Sequence, residues 1–193
     1  MIDAAVTQND VSTLAQRAEP MSAPDVLRLA LEQFGRNVAL SSSFGAEDMV
    51  LIDMLLAIDP KARIFTLDTG RLPQETYNLI DATRQKYQAT IEVVFPQADA
   101  VQAMVAEHGM NLFYRSVENR KVCCGVRKME PLRRAVSGLD AWITGLRREQ
   151  AEADPDRDVG LAPDERRDRD ERRGDEQADD DAAENLAPGD PAD

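Results

Sequence analysis

Four short runs of strand character constrain this chain more than any other feature: Val38-Ala-Leu-Ser41, Ala62-Arg-Ile-Phe-Thr-Leu-Asp68, Ile91-Glu-Val-Val-Phe95 and Asp140-Ala-Trp-Ile-Thr144. Helical stretches separate them. Ser22-Ala-Pro24 opens one with proline in its first turn, apolar residues continue from Val26 to Phe34, and Gly35 closes it. A strongly apolar helix is expected from about Glu47 to Ile58, stopping before Pro60. Others are expected from Pro73 to Tyr87, Ala98 to His108 and Met129 to Val136. Strands alternating with helices imply βαβ units, hence an α/β fold whose mainly parallel sheet is flanked by helices.

Ligands of such sheets bind beyond the carboxyl ends of the strands, where the strand order reverses. Three turns follow strands here, so all three are expected along one edge. In Ser41-Ser-Ser-Phe-Gly-Ala-Glu-Asp48, small hydroxyl residues and Gly45 lead into a helix, whose first amides favour an anion. A plain serine cap reads equally well. Leu67-Asp-Thr-Gly70 ends a strand with a glycine that lets backbone approach a ligand, or makes an ordinary turn. Thr144-Gly-Leu-Arg-Arg148 offers Gly145 and the guanidiniums of Arg147 and Arg148, suited to phosphate or sulfate or simply solvated.

Both cysteines of the chain stand side by side in Lys121-Val-Cys-Cys-Gly-Val-Arg-Lys128. Adjacent Cα atoms lie ~3.8 Å apart, short of the ~4.4–6.8 Å of an ordinary disulfide. Arg120, Lys121, Arg127 and Lys128 crowd the pair, which argues against an apolar core and for thiolates in a basic loop. Metal ligation or redox chemistry is the expectation. Lys128 follows Cys124 by four residues, so helical geometry begun at the cysteines would return its ammonium to their face. His108 reads as a helix-end residue, Met104, Met110 and Met129 as core filling, and Trp142 as packing on its strand.

Charge divides the chain. From Ala151 to Asp193 there are 17 acidic and 6 basic residues and no Phe, Trp, Tyr, Ile or Met. Such a segment buries too little apolar surface to offset its ordering entropy, so residues 151–193 are expected to be a disordered acidic tail. Residues 1–20 read as an extension and 21–150 as the folded domain. That domain is nearly neutral, which disfavours a nucleic-acid partner. The apolar run from Met49 to Ile58 is too short for a membrane span, and nothing resembles a secretory leader. Two cysteines without a spaced framework suit a reducing cytoplasm.

Taken together, Ser41–Asp48, Leu67-Asp-Thr-Gly-Arg-Leu-Pro-Gln-Glu-Thr-Tyr77, Arg120–Lys128 with Pro131-Leu132, and Ala141-Trp-Ile-Thr-Gly-Leu-Arg-Arg-Glu-Gln150 resemble assimilatory adenylyl-sulfate reductases. With phosphoadenylyl-sulfate reductases, these belong to the adenine-nucleotide alpha-hydrolase-like, or PP-loop, superfamily. The resemblance implies thioredoxin-dependent reduction of adenosine 5′-phosphosulfate to sulfite and AMP. It implies that Ser42, Ser43 and Gly45 cradle the phosphate side. Leu67 and Gly70 would present backbone to adenosine, Gly145 and Arg147 would line the pocket, and Lys128 would reach the phosphosulfate. It makes Cys123 and Cys124 half the ligand set of a [4Fe-4S] cluster, the feature that sets adenylyl-type enzymes apart from phosphoadenylyl-type ones. A loop of the form Ser-Ser-Ser-Phe-Gly-Ala-Glu-Asp is unlike the Ser-Gly-Gly-x-Asp-Ser of the superfamily's ATP pyrophosphatases.

The departures matter equally. A four-iron cluster takes four thiolates, and this sequence has two cysteines. The family's second pair and its nucleophilic cysteine belong to a C-terminal region that has no counterpart after Gln150. The expectation is a chain inactive by itself, a cluster incomplete or absent, and a tail that is out-of-frame translation or a comparable truncation. A non-catalytic adenine-nucleotide-binding module, or a phosphoadenylyl-sulfate reductase, is the alternative.

Overall fold

The computed structural model of the chain describes residues 8–146, with side chains from residue 11 onward. The 151–193 tail therefore lies outside the described residues, as does Arg147. Strands β1 (Val38–Ser41), β2 (Arg63–Leu67), β3 (Ile91–Val94) and β4 (Ala141–Ile143) form one sheet in the order β3-β2-β1-β4, with every pair parallel. The chain builds outward from β1 to β3, then returns to place β4 on the other side of β1. The order therefore reverses between β1 and β4.

Period-two alternation explains the layers. Ile143, Leu40, Ile64 and Ile91 are register partners in one row across the sheet. They point into a core closed by α2 (Ala23–Phe34), α3 (Ala46–Ile58) and α4 (Gln74–Tyr87), where Leu27, Ile52, Leu55 and Ile80 are buried. Ala39 and Phe65, each one residue offset, face the opposite side and meet Val136, Leu132 and Trp142. Strands covered on both faces read as continuous apolar runs, and β1 buries Val38, Ala39 and Leu40 in succession. Val38 and Leu40 each contribute about 1.5–3 kcal/mol when fully buried.

Helix ends follow the local chemistry. Proline sits in the first turn of α2 after Ser22, and Gly35 ends it at φ 54°. α5 (Ala98–His108) ends at Gly109, whose φ of 80° is a left-handed value suited to glycine. Two further helices precede the last one of the described part. One is α1 (Gln8–Ala18); the other is α6 (Val117–Cys124), capped where Ser116 Oγ accepts from the Asn119 amide at 3.2 Å. α6 continues through a π-helical turn, Gly125–Met129, into α7 (Glu130–Val136). Among the described residues no helix is long and apolar enough to cross a membrane.

Candidate functional site

Because β1, β2 and β4 are parallel, the turns after Ser41, Leu67 and Ile143 leave the sheet at the same edge. The reversal of strand order places the β1 and β4 turns side by side, the arrangement in which open α/β sheets form a crevice. Ser42, Ser43, Gly45, Leu67, Gly70 and Gly145 all lie along this rim.

The β1 turn is held from within. Asp48, in the first turn of α3 and 6% exposed, accepts from the Ser43 amide at 2.5 Å and from Ser43 Oγ at 2.8 Å. Ser42 is buried, and its Oγ accepts from the Phe44 amide at 3.0 Å. Phe44 pays for this turn with a left-handed φ of 62° while its ring sits in the core. Both hydroxyls expected to face an anion are thus engaged with protein, Ser43 as a donor and Ser42 as an acceptor. What the turn leaves open is the start of α3 after Gly45, where amides of the first turn have no intrahelical acceptor. Asp48 also reaches the β4 turn: a Cβ built on Gly145 would overlap its Oδ1. That carboxylate was not among the residues expected from sequence.

The β2 turn is organised by a second buried carboxylate. Asp68 Oδ1 accepts from the Gly70 amide at 2.7 Å and from the Tyr77 hydroxyl at 2.9 Å. Burial, then the hydrogen bond to Asp68, raises the Tyr77 phenol above its ordinary range. Gly70 has a φ of 69°, a backbone conformation that other residues adopt only with strain. A small cavity of about 170 Å³ opens beside Asp68 and Tyr77, lined also by Ile80, Arg84, Val93 and Phe95.

The cysteine segment corrects three expectations. It is no loop: Cys123 and Cys124 are the last residues of α6. Cys123 is buried in an apolar cluster with Met104 and Leu112, flanked by Phe113 and Val126, while Cys124 is half-buried. The apolar-core reading therefore holds for one thiol of the pair. Third, the π turn breaks the regular four-residue return. Lys128 is exposed, and the buried cation is Arg127, whose Nη1 donates to the Thr69 carbonyl at 2.7 Å. Met110, expected as core, is 60% exposed. Met104 is buried as expected, and Trp142 packs on its strand.

A [4Fe-4S] cluster needs four ligands. Among the described residues no three His, Cys, Asp or Glu side chains converge. The described residues therefore do not fit that group.

A larger cavity, about 380 Å³, lies at the opposite edge between Arg36, Lys61, Arg63 and Glu92. Its guanidiniums are committed: Arg36 donates to the Lys61 carbonyl at 3.0 Å, and Arg63 pairs with Glu92 at 3.1 Å. The rim at the carboxyl ends, and not this cavity, gathers the polar turns.

Comparison with known proteins covers the stretch of chain that carries these turns. Residues 37–158, more than half of the chain, match the phosphoadenosine phosphosulfate reductase domain, and the chain belongs to that family. It is similar to adenosine 5′-phosphosulfate reductase of Burkholderia cepacia, 48% identical over 127 residues, which are 66% of this chain and 51% of that protein. The chloroplastic 5′-adenylylsulfate reductase 3 of Arabidopsis thaliana is 44% identical over 146 residues, 76% of this chain and 31% of its own length. The chain spans about half the length of the bacterial relatives it matches. A crystal structure of phosphoadenylyl-sulfate reductase from Candida auris, a phosphate complex, superposes with a TM-score of 0.64 at 26% identity, covering 77% of this chain and 72% of that one.

Proposed function

We propose that this chain carries the nucleotide-binding part of an adenylyl-sulfate reductase of sulfate assimilation. The full reaction is thioredoxin-dependent reduction of adenosine 5′-phosphosulfate to sulfite and AMP. One observation carries the reading: the Ser41–Asp48, Leu67–Arg71 and Thr144–Gly145 turns share one sheet edge, and Arg127 ties the helix of the vicinal cysteines to the second of them. The named relatives that reduce adenosine 5′-phosphosulfate support that substrate over its phosphoadenylyl counterpart.

In this reading the adenylate lies along the rim. Leu67 and Gly70 present backbone to adenosine, and Gly145 keeps the far wall free of side-chain bulk. The phosphate side sits at the start of α3 by Gly45, with Ser42 and Ser43 shaping the turn. Lys128, exposed within the π turn, supplies positive charge toward the phosphosulfate from the cysteine side. Reduction proceeds by attack of a thiolate on the sulfonate sulfur, breaking its bond to the AMP oxygen and leaving an S-sulfonated cysteine. A thioredoxin dithiol then takes the thiol's sulfur into a mixed disulfide, sulfite departs, and thioredoxin leaves oxidised. In this reading neither Cys123 nor Cys124 is this nucleophile.

The 193 residues contain two cysteines, which favours a nucleotide-binding module over a complete catalyst. The test separates the two. Calorimetry with AMP should give binding heat, and heat absent at millimolar AMP sinks the reading. Incubation of the pure chain with adenosine 5′-phosphosulfate and reduced thioredoxin should yield no sulfite, and robust sulfite would assign the nucleophile to the described cysteines. Thioredoxin chemistry suits a reducing compartment, and the proposed site of action is the cytoplasm.

A further inference from the structure

The cysteine-bearing segment and the Leu67–Arg71 turn hold each other through two arginines. From the π turn, Arg127 donates to the Thr69 carbonyl at 2.7 Å. From the β2 turn, Arg71 donates to the Met110 carbonyl and, at 3.1 Å, to Asn111 Oδ1. Its guanidinium lies 4.9 Å from the centre of the Phe113 ring, which packs on the cluster of Met104, Leu112 and Cys123. The two donations run in opposite directions, so the turn is fastened to the segment from both sides.

The two residues differ in cost. Arg71 is exposed, where a guanidinium keeps its water. Arg127 is 8% exposed and has no ion pair among the described residues. Burying an uncompensated guanidinium opposes folding, and an aliphatic side chain of similar volume would avoid that cost. What the guanidinium holds is specific. Its Nη1 bonds the Thr69 carbonyl and would stand 3.1 Å from a Cβ on Gly70, so the Thr69–Gly70 peptide is moulded on it. The Gly70 amide is turned the other way, onto Asp68.

We infer that Arg127 is a positioning residue for adenylate binding, fixing the Thr69–Gly70 backbone at the adenosine side of the crevice. This rests on the adenylate reading of the rim. It assigns the residue next to Lys128 a task that the charge cluster in the sequence conceals. It also makes the turn's geometry depend on the helix that carries both thiols.

The test compares wild type with Arg127→Ala, Arg127→Lys and Arg120→Ala, the last removing an exposed positive charge from the same helix. By calorimetry, Arg127→Ala should weaken AMP binding roughly tenfold or more, the scale of one charge-assisted hydrogen bond. Arg127→Lys should recover part of it and Arg120→Ala should bind as wild type. Equal affinity in Arg127→Ala overturns the inference, as does equal loss in Arg120→Ala, which would reduce the effect to charge attraction.

Amide exchange read by NMR without nucleotide gives an independent arm. The Gly70 and Arg71 amides should exchange faster in Arg127→Ala, and to a lesser degree in Arg127→Lys, while Leu40 in β1 keeps its protection. Unchanged exchange at Gly70, or loss of protection at Leu40 as well, overturns the positioning role. Wild type giving no heat with AMP would instead sink the adenylate reading, and the exchange arm would still decide whether Arg127 sets the turn. Where Arg127→Ala does not fold, Arg127→Lys carries both comparisons.

Discussion

Asp48 and Gly145 touch where the first and last strands of the sheet release their chains. The carboxylate occupies the space that a side chain at residue 145 would need, while its other oxygen holds the Ser43 amide and hydroxyl. One buried acid thereby sets two of the three turns of the rim.

Gly145→Ala is expected to lower stability by about 1–3 kcal/mol, as overpacking does in a close-packed interior. Asp48→Ala leaves two donors of Ser43 unpaired and is expected to cost about 1–3 kcal/mol. The double variant should cost less than the sum, because removing the carboxylate makes room for the new methyl. Urea denaturation of the four proteins checks this. Strict additivity would mean that the contact does not couple the turns.

Tyr77 and Asp68 give a pH signature. The phenol donates to the carboxylate and its pKa is raised above 10.0, with burial the larger cause and the Asp68 hydrogen bond next. A group with a raised folded-state pKa adds stability that is whole below its unfolded pKa and is lost as pH rises through the folded one. Tyr77→Phe should therefore cost about 1 kcal/mol at neutral pH, the net value of one hydrogen bond. The gap between variant and wild type should shrink above pH about 10. Thermal denaturation at stepped pH measures it, and a gap that widens with alkali would contradict the assignment.

The sheet was legible because its signals are local. Buried parallel strands announce themselves as apolar runs, and proline and glycine punctuate α2 and α5 within a residue or two of where they end. α1 was missed although Val11, Leu14, Ala15 and Ala18 recur at helical spacing, because no cap or partner strand frames them. α6 was missed because its residues are mostly polar and its Ser116 cap lies among charges that drew attention to the cysteines. Burial of Arg127 was not readable at all. It depends on a carbonyl 58 residues away and on a π turn that shifts the helical face by one residue. The same holds for Asp48, whose acceptor work is written by its neighbours in space.

Cys123 and Cys124 should differ in reactivity despite being adjacent. Cys123 is packed against Met104 and Leu112, whereas Cys124 is half-buried at the end of α6. Access controls thiol modification as much as thiolate fraction does. Brief alkylation of the native protein, read by peptide mass spectrometry, should label Cys124 before Cys123, and both equally in denaturant. Preferential labelling of Cys123 would refute the packing of its cluster.

Iron content tests the cofactor expectation directly. The resemblance to adenylyl-sulfate reductases implies a cluster held by four thiolates, and thiolate count governs whether such a cluster persists. Two cysteines are present in the 193 residues, one of them inside an apolar cluster, and no third ligand converges on them among the described residues. Iron and sulfide assayed on anaerobically purified chain should fall well below four of each per chain, and a chelator should strip what is bound. Site-directed loss of Cys124 should then leave AMP binding at wild-type affinity, since the rim turns do not include it. Four irons per chain that resist chelation would show that ligands beyond this pair complete the site, and would return the chain to the class of cluster-bearing enzymes.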